Sequence, residues 1–205
     1  MRIDRPPPGE EINEGPVTEP RQAATLMLLR DGPTGLEVLL VQRNPKQRFM
    51  GGAWVFPGGA LHDEDADLAT AAVREMAEEA EVAIDTEALM LFSRWITPAE
   101  VKVRFDTWFY VARSPEGAEP RVDGQECVDV RWVSPSDALE AGRRDEMMLV
   151  FPTIKHLERL DQFESVAAAL EDADGRSVDA VQPRIVSRDG MPEVLLPGEP
   201  GYDEA

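Results

Sequence analysis

The chain has 205 residues, 42% apolar and 30% charged, with a formal net charge of −19, enough for one α/β domain with a real core and short for two. So acidic a chain argues against general nucleic-acid binding, and a phosphorylated ligand would have to be met by metal cations, local basic residues or both. A single cysteine, Cys127, excludes an internal disulfide; with no signal-peptide core and no run near the roughly 20 apolar residues of a membrane span, the expectation is a cytoplasmic protein without membrane association.

Residues 1–21, rich in Pro, Glu and Gly, read as a disordered arm. Ala23 to Arg30 reads as a strand, Asp31-Gly32-Pro33-Thr34-Gly35 as a turn, and Leu36 to Arg43 as the returning strand of a hairpin. An irregular loop over 44–53 precedes a short strand at Trp54-Val55-Phe56, stopped by Pro57-Gly58-Gly59. From Asp67 to Ala80 the pattern turns helical, and Leu68, Ala72, Met76 and Ala80 form the stripe to be buried. Ala88–Ile96, Phe105–Ala112 and Cys127–Val133 read as strands. Ser134-Pro135 opens a short helix to Ala141. The spacing of Ile154, Leu157, Leu160, Phe163 and Val166 predicts a second helix over Thr153–Leu170, with His156 on its surface. The tail carries one apolar patch, Val194-Leu195-Leu196. The expected architecture is a mixed sheet with helices packed against it, in one domain over 22–170, with a C-terminal extension over 171–205.

The chemistry concentrates between Pro57 and Val82. Gly58-Gly59 allows a sharp turn and close approach of backbone to a ligand. On the following helix Glu75, Glu78 and Glu79 are three and four residues apart, so they share one side. Such a cluster repels itself unless solvent or cations intervene, and hard oxygen ligands suit Mg²⁺ or Mn²⁺. Arg74, four before Glu78, is placed to hold a carboxylate. On spacing alone a solvated acidic face fits as well; the glycine turn just ahead argues for a site.

The segment resembles the box of the Nudix hydrolases: Gly59, then Arg74-Glu75-Met76-Ala77-Glu78-Glu79, then Val82. It departs twice. The gap from Gly59 to Arg74 is one residue longer, with Ala66 where the first Glu should stand and Glu64 or Asp65 as substitutes. Glu81 replaces the glycine that normally ends the helix. Upstream, Leu39-Leu40-Val41-Gln42-Arg43, then Arg48, Gly52 and Phe56-Pro57-Gly58-Gly59, resembles the added signature of the coenzyme A diphosphatase branch. Trp95-Ile96-Thr97-Pro98, Arg104 to Phe109, and Asp123-Gly124-Gln125-Glu126 resemble the peroxisomal members of that branch.

The resemblance implies an αβα sandwich around a central mixed sheet and metal-assisted hydrolysis of a P–O–P bond. It implies Glu75, Glu78 and Glu79 as metal ligands with the Gly59 carbonyl, Glu126 as a further carboxylate, and Glu75 as the group that orients or deprotonates water. Arg43, Arg48 and the Gly58-Gly59 backbone are the expected substrate contacts. The substrate is expected to be coenzyme A or acyl-coenzyme A; ADP-ribose or a dinucleotide, or a catalytically silent metabolite-binding domain, are the alternatives. A homodimer is implied by resemblance alone. Arg104 and Asp106 read as an ion pair or pocket wall, His62 as a loop residue, and Cys127 as a buried small residue.

Overall fold

Two long strands set the frame of the computed structural model, which describes residues 11–122, 124–188 and 191–203. Strands β1 (Arg21–Gly32) and β2 (Gly35–Arg43) form an antiparallel hairpin in register from Leu29↔Val38 to Gly32↔Gly35. Both are apolar in continuous runs, as strands covered on two faces must be. Leu26 to Leu29 and Val38 to Val41 are fully buried.

Away from the turn the two strands part, and the chain after the loop fills the split. Strand β3 (Trp54–Val55) pairs with β2 at Val41 and Gln42, and β4 (Gly58–Ala60) pairs with β1 at Ala23 to Thr25. Pro57 crosses between them, its carbonyl accepting the Leu26 N–H at 2.9 Å. The insertion carries the two glycines into the sheet. On its other edge β1 runs parallel to β6 (Phe105–Arg113), which pairs antiparallel with β5 (Met90–Ile96); the short β8 (Ala180–Val181) adds parallel to β5. Strand β7 (Cys127–Val133) pairs with β2.

Alternate side chains of the hairpin point to opposite layers. Helix α1 (Leu68–Ala80) joins the core of Leu26, Leu28, Leu39 and Val41 through Ala72, Met76 and Ala80. Helices α2 (Pro135–Arg143), α3 (Phe151–Leu160) and α4 (Val166–Ala173) join the core of Met27, Leu29, Val38 and Leu40. The architecture is therefore a mixed sheet between helical layers. Among the described residues no helix is long and apolar enough to cross a membrane.

Three expectations need correction. The single helix over Thr153–Leu170 is two, α3 and α4. Ser165 is extended and caps α4, accepting the Ala168 N–H, while Asp31 accepts the Val166 N–H at 2.9 Å. Phe163 packs against the core within the break, which keeps the apolar spacing continuous. Residues 1–10 of the expected disordered arm, and Asp123, lie outside the described residues. From Glu11 onward the arm is held: Ile12 bridges Val101, and Asn13 N–H donates to the Glu100 carbonyl at 2.7 Å. His156 is not on the surface but 2% exposed, stacked on Phe109. Its Nδ1 lies 2.6 Å from the Pro152 carbonyl, an obligate acceptor, so that nitrogen carries the proton and Nε2 accepts from Ser93 Oγ at 2.5 Å.

Two stability predictions follow from these local facts. Glu81 adopts φ 53°, in the left-handed region, and its N–H closes α1 on the Ala77 carbonyl. The helix end has stayed in place at a residue with a Cβ, so Glu81→Gly should raise stability by about 1 kcal/mol in urea unfolding. Burial depresses the His156 pKa to about 4 from its ordinary 6.5. The unfolded chain then takes up the proton first. The contribution of neutral His156 is complete above pH 6.5 and is lost as pH falls toward 4. The stability advantage of wild type over His156→Gln should shrink by roughly 1–2 kcal/mol between pH 7 and pH 5; a difference flat with pH would contradict a neutral, buried ring.

Candidate active site

Helix α1 is fixed at both ends. Asp67 caps its first turn, accepting the Thr70 N–H at 2.8 Å, and Glu81 closes its last. Between them the spacing puts three carboxylates on one side of the helix. The structure buries two, with Glu75 8% and Glu79 2% exposed, and leaves Glu78 at the rim. The cause is β4, which lies across the helix. Glu79 accepts the Gly58 N–H at 3.0 Å. The Glu75 carboxylate sits so close to Gly59 that a Cβ there would overlap it, and a Cβ on Gly58 would overlap Thr25 and the Ala24 carbonyl. Gly58 requires glycine for the close approach of two backbones, and Gly59 leaves room for the Glu75 carboxylate.

Two arginines hold these acids. Arg74 donates through Nη1 to Glu75 at 2.8 Å and Glu78 at 2.9 Å. Its Nε and Nη2 donate to Asp65, both at 3.0 Å, and Nη2 also to the Ala60 carbonyl. Of the two acids offered as substitutes near Ala66, Asp65 is thus the one engaged, and Glu64 stands exposed. Arg43, at the end of β2, donates to Glu79 at 3.5 Å and Glu126 at 3.3 Å. Its Nε is buried and meets no partner among the described residues.

Burial pushes the Glu79 carboxyl up to about 7; the Gly58 N–H and Arg43 oppose this, and the charges of Glu75 and Glu126 add to it. Burial also raises Glu75, against the pull of Arg74. Hydrogen bonds from Arg74 hold Asp65 below the usual carboxylate range. Burial and the neighbouring Glu79 push the Cys127 thiol far up, so it stays protonated and is no nucleophile.

The donor chemistry fits a divalent cation: hard carboxylate oxygens, two of them buried with charge that Arg74 and Arg43 relieve only in part. As the side chains lie, no three His, Cys, Asp or Glu among the described residues converge on one point. Arg74 holds an oxygen of Glu75 and of Glu78, and Gly58 and Arg43 hold both oxygens of Glu79.

The acids border a cavity of about 470 Å³, within the range of about 300–1,000 Å³ usual for small-molecule sites. Arg43, Gly58, Gly59, Glu75, Glu78 and Glu126 line it, with Arg74 and Glu79 behind them. Arg48 is not brought there; it is exposed on the 44–53 loop. His62 does line the cavity. Arg104 and Asp106 do not pair with each other: Asp106 binds Arg94 at 2.6 Å, and Arg104 donates to the Thr97 and Thr18 carbonyls. Sequence reasoning missed Arg21, Phe49, Phe109, Ile185 and Val194, all lining residues. They come from different elements, and only the parallel pairing of β1 with β6 and the C-terminal strands unite them.

Comparison with known proteins places this geometry. The NUDIX domain pattern matches residues 20–151. A Nudix hydrolase of Citrobacter koseri, NudL, is 34% identical over 136 residues, covering 66% of this chain and 65% of its own length. The human acyl-coenzyme A diphosphatase NUDT19 is 34% identical over 128 residues, covering 58% of this chain but 33% of its own. The chain spans less than two thirds of the length of either relative. The crystal structure of a NUDIX hydrolase from Alicyclobacillus acidocaldarius superposes with a TM-score of 0.68 at 28% identity, over 75% of this chain and 96% of that one. On a match that runs from just before β1 to the first residue of α3, the chain belongs to the NUDIX domain family.

Proposed function

We propose that the protein hydrolyses the diphosphate bond of coenzyme A or an acyl-coenzyme A, yielding 3′,5′-ADP and the corresponding phosphopantetheine. The observation that carries this reading is the pair of buried carboxylates, Glu75 and Glu79, held under the Gly58-Gly59 strand at the edge of a cavity lined largely by apolar side chains. The coenzyme A part is supported by the segment over residues 39–59 and by the likeness to an acyl-coenzyme A diphosphatase.

Glu75, Glu78 and Glu79, with the Gly59 carbonyl and Glu126, would hold the divalent cation, Mg²⁺ or Mn²⁺. When bound, that cation neutralises phosphate oxygens and lowers the pKa of water. Glu75 orients the attacking water and accepts its proton, for which a carboxyl raised by burial is suited. Water adds its oxygen to phosphorus, the P–O–P bond breaks, and the leaving phosphate departs with the electron pair. Arg74 holds Glu75 and Glu78 from behind, anchored by Asp65. Arg43, beside Glu79 and Glu126 on the cavity lining, is the chain's own contact for a diphosphate oxygen. The two departures that motivate a silent domain leave the acids in place: Asp65 serves Arg74, and Glu81, two residues past Glu79, still closes α1 on the Ala77 carbonyl.

The reading predicts that Glu79→Gln lowers kcat/KM by more than about 100-fold. In metal-free protein the same substitution should leave Tm unchanged or higher, because it removes a buried charge. It should also cancel the rise in Tm that Mg²⁺ gives wild type. Unchanged hydrolysis by Glu79→Gln would refute the metal assignment. Product analysis with free coenzyme A, an acyl-coenzyme A and ADP-ribose side by side tests the substrate; equal or faster turnover of ADP-ribose would sink the coenzyme A reading.

A further inference from the structure

The cavity crosses the sheet. Its lining runs from β4 (Gly58, Gly59) over β1 (Ala23, Thr25) and β6 (Phe105, Thr107, Phe109) to Trp95 on β5. At about 4.8 Å per strand step, the acids and the β5 side stand roughly 14 Å apart. The far side is closed by chain beyond the family match, which ends at residue 151. Strand β8 attaches to β5 in the register Arg94↔Ala180 and Trp95↔Val181. The chain then forms a hairpin of β9 (Arg184–Arg188) and β10 (Met191–Leu195). The Ile185 N–H donates to Glu100 at 3.3 Å, and the Tyr202 hydroxyl to the Gln182 carbonyl at 2.6 Å, which ties this segment to the 97–104 loop and to itself.

Ile185 and Val194 are directly opposed across the hairpin, so their side chains lie on the same face. Both line the cavity, with Pro183, Ile96, Pro98 and Val101. This end offers little to read the edge of a base or a sugar. Thr97 Oγ1 is spent on the Phe105 backbone, and the lining cation there, Arg21, lies over the Phe105 ring. The hairpin contributes aliphatic surface beside the rings of Trp95, Phe105 and Phe109, and a flexible saturated chain meets it without leaving polar groups unpaired.

We propose that the β9–β10 hairpin is the substrate-selecting wall of this site, and that Ile185 and Val194 select diphosphates bearing a saturated apolar chain. This rests on the diphosphatase reading for the acid end and adds to it a specificity element outside the family match. The hairpin discriminates among substrates; it performs no chemistry.

The test uses the full chain with Mg²⁺ and compares kcat/KM for dodecanoyl-coenzyme A and free coenzyme A. Wild type should favour the dodecanoyl substrate, and Ile185→Ser/Val194→Ser should lower that ratio by about tenfold or more. Ile185→Phe, which narrows the cavity while keeping the face apolar, should also lower the ratio, whereas Ile185→Val should retain most of it. Tryptophan fluorescence of metal-free protein titrated with dodecanoyl-coenzyme A should show tighter binding to wild type than to the double variant. Equal losses on both substrates, or an unchanged ratio, would overturn the proposal. If wild type cleaves neither compound, the diphosphatase reading fails. The fluorescence titration then decides the hairpin's role alone: weaker binding by the double variant sustains it, and identical binding ends it.

Discussion

The local structure is organised by the need to bury two carboxylates one helical turn apart. Side chains so spaced have Cβ atoms about 5–6 Å apart, and two unit charges at that distance repel by about 3 kcal/mol at an effective dielectric near 20. Glu75 is met from within α1 by Arg74, but Glu79 facing inward depends on donors outside the helix. Both acids are tolerated because each meets a specific donor: Arg74 on Glu75, and the Gly58 N–H with Arg43 on Glu79. Removing such a donor leaves a buried charge unmatched, which commonly costs about 3–5 kcal/mol. The arginines, the glycines and Asp65 therefore form one dependent set.

The sheet makes that set possible. If β1 and β2 stayed paired along their full length, no backbone would be available to lie over α1. Their divergence beyond Leu29 and Val38 opens room for β3 and β4, and β4 brings an unobstructed N–H to Glu79. A side chain at Gly58 would push β4 off β1, and one at Gly59 would displace the Glu75 carboxylate from its place against the strand. The glycine pair thus serves the fold and the site through one geometric demand, the absence of a Cβ.

Local signals were legible in the sequence, and assembled ones were not. The turn at Asp31–Gly35, the onset of helix near Asp67, the Ser134-Pro135 helix start and the buried stripe Ala72, Met76, Ala80 each depend on neighbours in the chain, and each stands where the pattern places it. Arg74, Glu75, Glu78 and Glu79 were visible for the same reason. What spacing could not say is that Glu75 and Glu79 would be covered, because the cover comes from β4. The break at residues 161–165 was hidden by Phe163, whose burial continues the apolar rhythm through a non-helical stretch. His156 looked exposed because its partners, Ser93 and Phe109, lie far away in sequence. The cavity wall at Ile185 and Val194 needed the whole sheet order and the hairpin register to come into view.

The charge of the chain gains its meaning at this site. A net charge of −19 does not by itself prevent an anionic substrate from binding, since fields at a cavity are set locally. Locally, however, the balance is also acidic. Arg74 and Arg43 face Asp65, Glu75, Glu78, Glu79 and Glu126, and their guanidiniums are already engaged. A diphosphate brought to this end meets carboxylates that two arginines cannot neutralise. Added positive charge is thus an electrostatic condition for an anion to sit against Gly58 and Gly59, apart from any chemistry that charge performs.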